Sequence, residues 1–85
     1  MDTAMMVIDL VATANRLFLL GFTKHAETVI KGAEALADTL DDMDSKTRSY
    51  NLISNYYEDA HDRSNEARVL RKVAGVMGIQ FEEAH

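Results

Sequence analysis

Cysteine, proline and tryptophan are all missing from this 85-residue sequence, and glycine occurs only four times. Without cysteine there are no disulfides, no thiol nucleophile and no thiolate metal site, so a zinc finger and a thiol enzyme are excluded. The lack of proline argues against a loop-rich fold, because loops lean on proline to preset turns. Basic charge is also short: 9 Lys and Arg stand against 14 Asp and Glu, a net charge of −5 that excludes a basic nucleic-acid coat. The apolar stretch from Ala4 to Phe22 is broken by Asp9, Asn15 and Arg16, and Asp2 stands where a secretory signal carries basic residues. No charge-free run reaches the ~18 residues of a membrane span. The expectation is therefore a cytoplasmic chain with no membrane insertion. What remains is an ordinary apolar share of 47%, enough for one folded domain over residues 1–85 and too much for a disordered tail.

Apolar residues recur at helical spacing in four blocks, which predicts helices over about 3–20, 23–40, 45–60 and 64–77, with a short tail over 79–85. In the first, Met5, Ile8, Val11 (or Ala12) and Phe18 can form one stripe, while Met6, Leu10, Leu17 and Leu20 fill much of the rest. A helix on a two-layer core needs an apolar arc of little more than ~100°. The surplus must be enclosed on several sides or meet a partner. Gly21 is expected to end this helix, since glycine takes the left-handed conformation beyond a helix terminus.

Thr23 is the expected N-cap of the second helix, whose inner stripe is Ala26, Val29, Ile30, Ala33, Leu36, Ala37 and Leu40. Lys24, Glu27, Lys31, Glu34 and Asp38 fall on its wet side, with Glu27 and Lys31 a supportive pair. Gly32, mid-helix among alanines, is explained if another backbone approaches closely. Asp44 or Ser45 can cap the third helix, with Tyr50, Ile53, Tyr56 or Tyr57, and Ala60 inward. Asp62 or Ser64 can cap the fourth, with Ala67, Leu70, Val73, Ala74 and Met77 inward and Gly78 at its end. No stretch alternates apolar and polar residues as a strand does. The fold class is all-α: two antiparallel helical hairpins.

Ala14, Leu17, Gly21, Ala26, Ile30 and Ala33 stand at spacings similar to those of a tetratricopeptide repeat, and Ala67 and Ala74 repeat the interval between Ala26 and Ala33. The two alanine pairs lie 41 residues apart, against a family period of ~34, and Arg71 replaces the family's mid-helix aromatic. The resemblance covers most of the chain and implies tetratricopeptide-like packing of both hairpins. Within that family, the run Arg16 to Phe22 leading to Ala26 resembles the first hairpin of small acidic chaperones of bacterial type III secretion. That resemblance implies a cytosolic protein that holds a secretion-system subunit before export.

Other motifs point to bland readings. Glu58-x-x-His61 and Glu82-x-x-His85 imitate the paired ligands of a di-iron bundle, which also needs an inward Glu from each remaining helix; the first helix has none. Asp38, Asp41, Asp42 and Asp44 imitate a calcium loop, but Lys46 and Thr47 stand where an EF-hand counted from Asp42 needs an oxygen ligand and a glycine. No metal and no cofactor are expected. The stretch from Leu70 to Ile79, with Arg63, Arg68, Arg71 and Lys72, resembles the start of a helix-turn-helix, yet Gln80 to His85 is too short and acidic for a recognition helix. Ser45, Ser49, Ser54 and Ser64 lack a nucleophile elbow, and His25 and His61 have no sequence link to a nucleophile. No enzyme is expected.

The functional expectation is non-catalytic protein–protein recognition, an adaptor or chaperone that buries an apolar helix or segment of a partner. Met5, Met6, Val7, Leu19 and Phe22 are the candidate partner-binding residues, with Val7 and Leu19 outward and Leu17 and Ala26 within the first hairpin. Methionines suit such a surface because their unbranched chains repack around different shapes. A structural homodimer through the first helix is the alternative, and a small DNA-binding regulator the second alternative.

Overall fold

The computed structural model describes residues 2–78. The tail expected over 79–85, with the Glu82/His85 pair, lies outside the described residues. Four helices follow in series: α1 (Thr3–Leu19), α2 (Thr23–Asp38), α3 (Met43–Asp59) and α4 (Arg63–Val76). They form two hairpins, α1 with α2 and α3 with α4, and α3 also packs on both α1 and α2. The Cα trace measures 41 × 33 × 14 Å. That thickness is two helical layers, an axis spacing of ~9 Å plus a Cα radius of ~2.3 Å on each side.

Each helix begins and ends for a local reason. Asp2 caps α1 by accepting from the Met5 N–H at 2.8 Å, and Asp42 caps α3 by accepting from the Ser45 N–H at 2.9 Å. Asp42 therefore takes the role expected of Asp44 or Ser45, and α3 starts earlier. Asp62 caps α4 through the Asn65 N–H at 3.2 Å. Thr23, expected as a cap, is the first residue of α2, and Phe22 before it makes no side-chain cap bond. The tight turn explains this. Phe22 and Gly21 N–H groups donate back to the carbonyls of Leu17 and Phe18, at 2.8 and 3.0 Å, with Gly21 at φ +90°. This paired closure leaves no extended residue ahead of α2 from which a side chain can cap.

The end of α3 repeats that closure without a glycine. Asp62 and His61 N–H groups donate to Tyr57 and Glu58 carbonyls at 2.9 and 3.0 Å, and His61 holds φ +57°. A non-glycine residue there pays about 1 kcal/mol or more. We expect His61→Gly to stabilise the chain by about 0.5–1 kcal/mol, the gain being trimmed by glycine's freedom in the unfolded state. The melting temperature followed by circular dichroism should rise by about 2–8 °C.

The core is made by Val7, Val11 and Ala14 of α1, by Ala26, Ile30, Ala33 and Ala37 of α2, by Tyr50, Ile53, Tyr56 and Tyr57 of α3, and by Val69 of α4. This corrects the α1 stripe. Val7, expected outward, is fully buried, and the stripe of Met5, Ile8, Val11 and Phe18 is split, with Val11 buried while Met5 and Ile8 are 54% and 41% exposed. Val7, Val11 and Ala14 share the face of α1 that meets the neighbouring helices, flanked by the partly buried Leu10, Leu17 and Phe18. Leu17 and Ala26 do pack in the first hairpin, Leu17 half-buried and Ala26 fully buried. In α4 the inward turn is centred on Val69, and Leu70 and Met77 are exposed. Gly32 is exposed, and a Cβ there would meet nothing within 4 Å, so no backbone approaches it.

The helix most enclosed is not the most apolar one. α3 touches every other helix and buries Ser49 and Ser54 beside its tyrosines, whereas among the described residues α1 has neighbours only in α2 and α3. The Phe18 ring meets the Tyr56 ring edge-on, centroids 6.0 Å apart, and joins the two hairpins.

Candidate interaction surface

With its buried arc committed to Val7, Val11 and Ala14, α1 presents its far side to solvent. Four of the five candidate residues lie there or at the adjoining turn: Met5, Met6, Leu19 and Phe22 are all exposed, Leu19 by 83%. Val7 is the fifth, and its burial removes it from the surface. Ile8 and Leu20 join the exposed set, although neither was among the expected contact residues. A signal for Ile8 was present: Ala14 and Leu17, already placed in the hairpin by the repeat spacing, share a face with Val7 and Val11, which turns Met5 and Ile8 outward.

Phe22 does not hang free. Its ring lies edge-on to His25, centroids 6.0 Å apart, which stiffens the turn between α1 and α2. An exposed aliphatic side chain alone needs no explanation, whereas here several share one helix face and its turn.

A second feature is polar and joins helices whose backbones do not meet. Glu34 of α2 is buried, 6% exposed, although its place in sequence put it on the wet side. Arg68 of α4 grips it with both terminal nitrogens, Nη2 donating to Oε1 at 2.8 Å and Nη1 to Oε2. Lys72 adds a contact to Glu34 Oε2 at 2.6 Å and donates to Asp38 Oδ1 at 3.0 Å. Tyr50 of α3 donates its hydroxyl proton to Asp38, and the Lys72 ammonium stands 5.6 Å from that ring. Glu34 with Asp38, and Arg68 with Lys72, are each spaced by four residues, so one face of α2 meets one face of α4 across α3.

The charges tune one another. The hydrogen bond from Arg68 holds the Glu34 carboxyl below its ordinary value, overcoming the opposing effect of burial. Arg68 is raised by the same bond. Burial works against the charge on Lys72, but its hydrogen bonds to Glu34 and Asp38 outweigh that and raise it. The Tyr57 hydroxyl is buried beside this network with no hydrogen-bond partner, and burial pushes its pKa up. This network is a clamp between the hairpins. It also occupies two of the four cations, Arg68 and Lys72, on which a nucleic-acid-binding reading rested.

Glu58 and His61 are both exposed, and His61 serves the turn. Among the described residues no three His, Asp or Glu side chains converge as metal ligands, and no helix is long and apolar enough to cross a membrane. The fold and surface define the class as an all-α domain of two helical hairpins with an apolar outer helix. No family model, curated protein or solved structure matches the chain.

Proposed function

We propose that this chain is a non-catalytic protein–protein recognition module that buries a partner's apolar helix against the outer face of α1. The observation that carries this reading is the exposure of Met5, Ile8 and Leu19 along the solvent side of the most apolar helix. A domain this size has little apolar area to spare, so leaving it uncovered has a cost that a partner removes. The tetratricopeptide resemblance supports the reading. Its narrower form, a cytosolic chaperone for a secretion-system subunit, rests on that resemblance alone.

A photo-cross-linking residue placed at Leu19, with Arg71 on α4 as the control position, tests the surface in cells. The adduct is expected from position 19 and not from 71. Equal adducts at both, or none at 19, would overturn the reading. Leu19→Glu should weaken association about tenfold or more, as removal of a central apolar contact does. Because Leu19 is 83% exposed, helical content should be retained, which circular dichroism checks.

A further inference from the structure

The outward residues of α1 and its turn repeat with a period that an ordinary surface does not need. Met5, Ile8, Ala12, Asn15 and Leu19 follow at alternating intervals of three and four residues, the seam of a two-stranded coiled coil, and Phe22 lies in the turn beyond it. Met5, Ile8, Leu19 and Phe22 are exposed, and Ala12 and Asn15 are half-buried. We infer that the helix buried on this face is α1 of a second copy, antiparallel about a two-fold axis that crosses between Ala12 and Asn15. This rests on the recognition reading above and names its partner.

Self-complementarity carries the inference. In an antiparallel pair, seam residues of the two positional types meet across the axis. Ile8 then packs on Leu19 of the second copy and Ala12 on its Asn15, while Met5 comes near the turn that follows its Leu19. Ala12 lets the two backbones approach at the crossing, and Asn15 beside it favours one register over slipped ones. Charge agrees independently. Asp9 and Arg16 flank the seam on the same edge, both exposed, and among the described residues neither enters an ion pair. The register that matches the apolar residues brings Asp9 of each copy to Arg16 of the other, twice by symmetry. A parallel pair would set each edge against the buried side of the partner and leave both charges unmatched. Since α1 is already folded on its own domain, a seam this short does not also have to order its helix. Met6 and Leu20 lie off the seam and remain free for a different protein.

Sedimentation equilibrium at low salt tests the pairing and its register. The wild-type chain is expected to dimerise reversibly. Asp9→Lys and Arg16→Glu should each weaken the dimer about tenfold or more, since each turns two attractions into repulsions. An equimolar mixture of the two variants should recover dimer. In the mixed pair the two introduced charges are opposite and face each other, while the unchanged Arg16 of one chain meets the unchanged Asp9 of the other. The double variant should recover it too. Circular dichroism confirms that each variant is folded. A wild-type chain that stays monomeric at millimolar concentration overturns self-pairing, and weakened single variants without recovery in the mixture overturn the antiparallel register. A monomeric chain whose position-19 cross-linker still captures another protein leaves the recognition reading standing. A monomeric chain with no adduct at 19 overturns both.

Discussion

Ile53→Ala is expected to remove about 2–5 kcal/mol of stability. Ile53 is fully buried on α3, the helix that touches all the others. Its truncation opens a void within the cluster it shares with Val7, Ile30 and Tyr57, which packed helices fill only in part. A chain of 85 residues has a total stability of about 4–13 kcal/mol, so the loss is a large fraction of the whole. Urea unfolding followed by circular dichroism should show a much lower midpoint with an unchanged slope. A midpoint near that of wild type would mean that α3 is not the centre of the core.

Glu34→Ala is the second large effect, about 2 kcal/mol at neutral pH. Breaking a fully buried pair costs ~3–5 kcal/mol; Arg68 and Lys72 side chains are 43% and 33% exposed, so water relieves part of the cost here. The loss has a pH signature. Glu34 is held below its ordinary value of 4.5 in the folded chain, so its contribution is complete above that value. It disappears as the pH falls through the lowered folded value. Wild type should therefore lose stability below about pH 4.5 more steeply than Glu34→Gln, which has no proton to take up there. Melting temperatures of both at pH 7 and pH 3 decide it. Equal losses on acidification would mean that the clamp is not sensitive to acid through Glu34.

The Glu34 clamp shows where reading along the chain runs out. Position 34 falls on the polar face of α2, and nothing within α2 explains its burial. The explanation lies 34 residues further on, where Arg68 and Lys72 repeat the four-residue spacing of Glu34 and Asp38. A pairing of that range becomes visible only once α2 and α4 are laid side by side over α3.

Local chemistry was legible because it depends on neighbours in sequence. Helical periodicity, Asp62 as one of two candidate caps of α4, the Gly21 turn and the Glu27–Lys31 pair, 3.0 Å apart, all involve residues within a turn or two of one another. Those signals settle four helices and two hairpins. Which face of each helix is buried is a different question, because α1 carries apolar residues nearly all round. Val7 and Ile8 are both β-branched and aliphatic, yet one is fully buried and the other 41% exposed. Only the direction from which α2 and α3 approach separates them. The same holds in reverse for α3, whose serines and tyrosines read as a modest helix and yet form the centre. Composition decides that a core forms, since apolar area must leave water. Packing decides which residues enter it, because Leu10, Leu17 and Phe18 fall on the side of α1 that α2 and α3 cover while Met5, Ile8 and Leu19 do not.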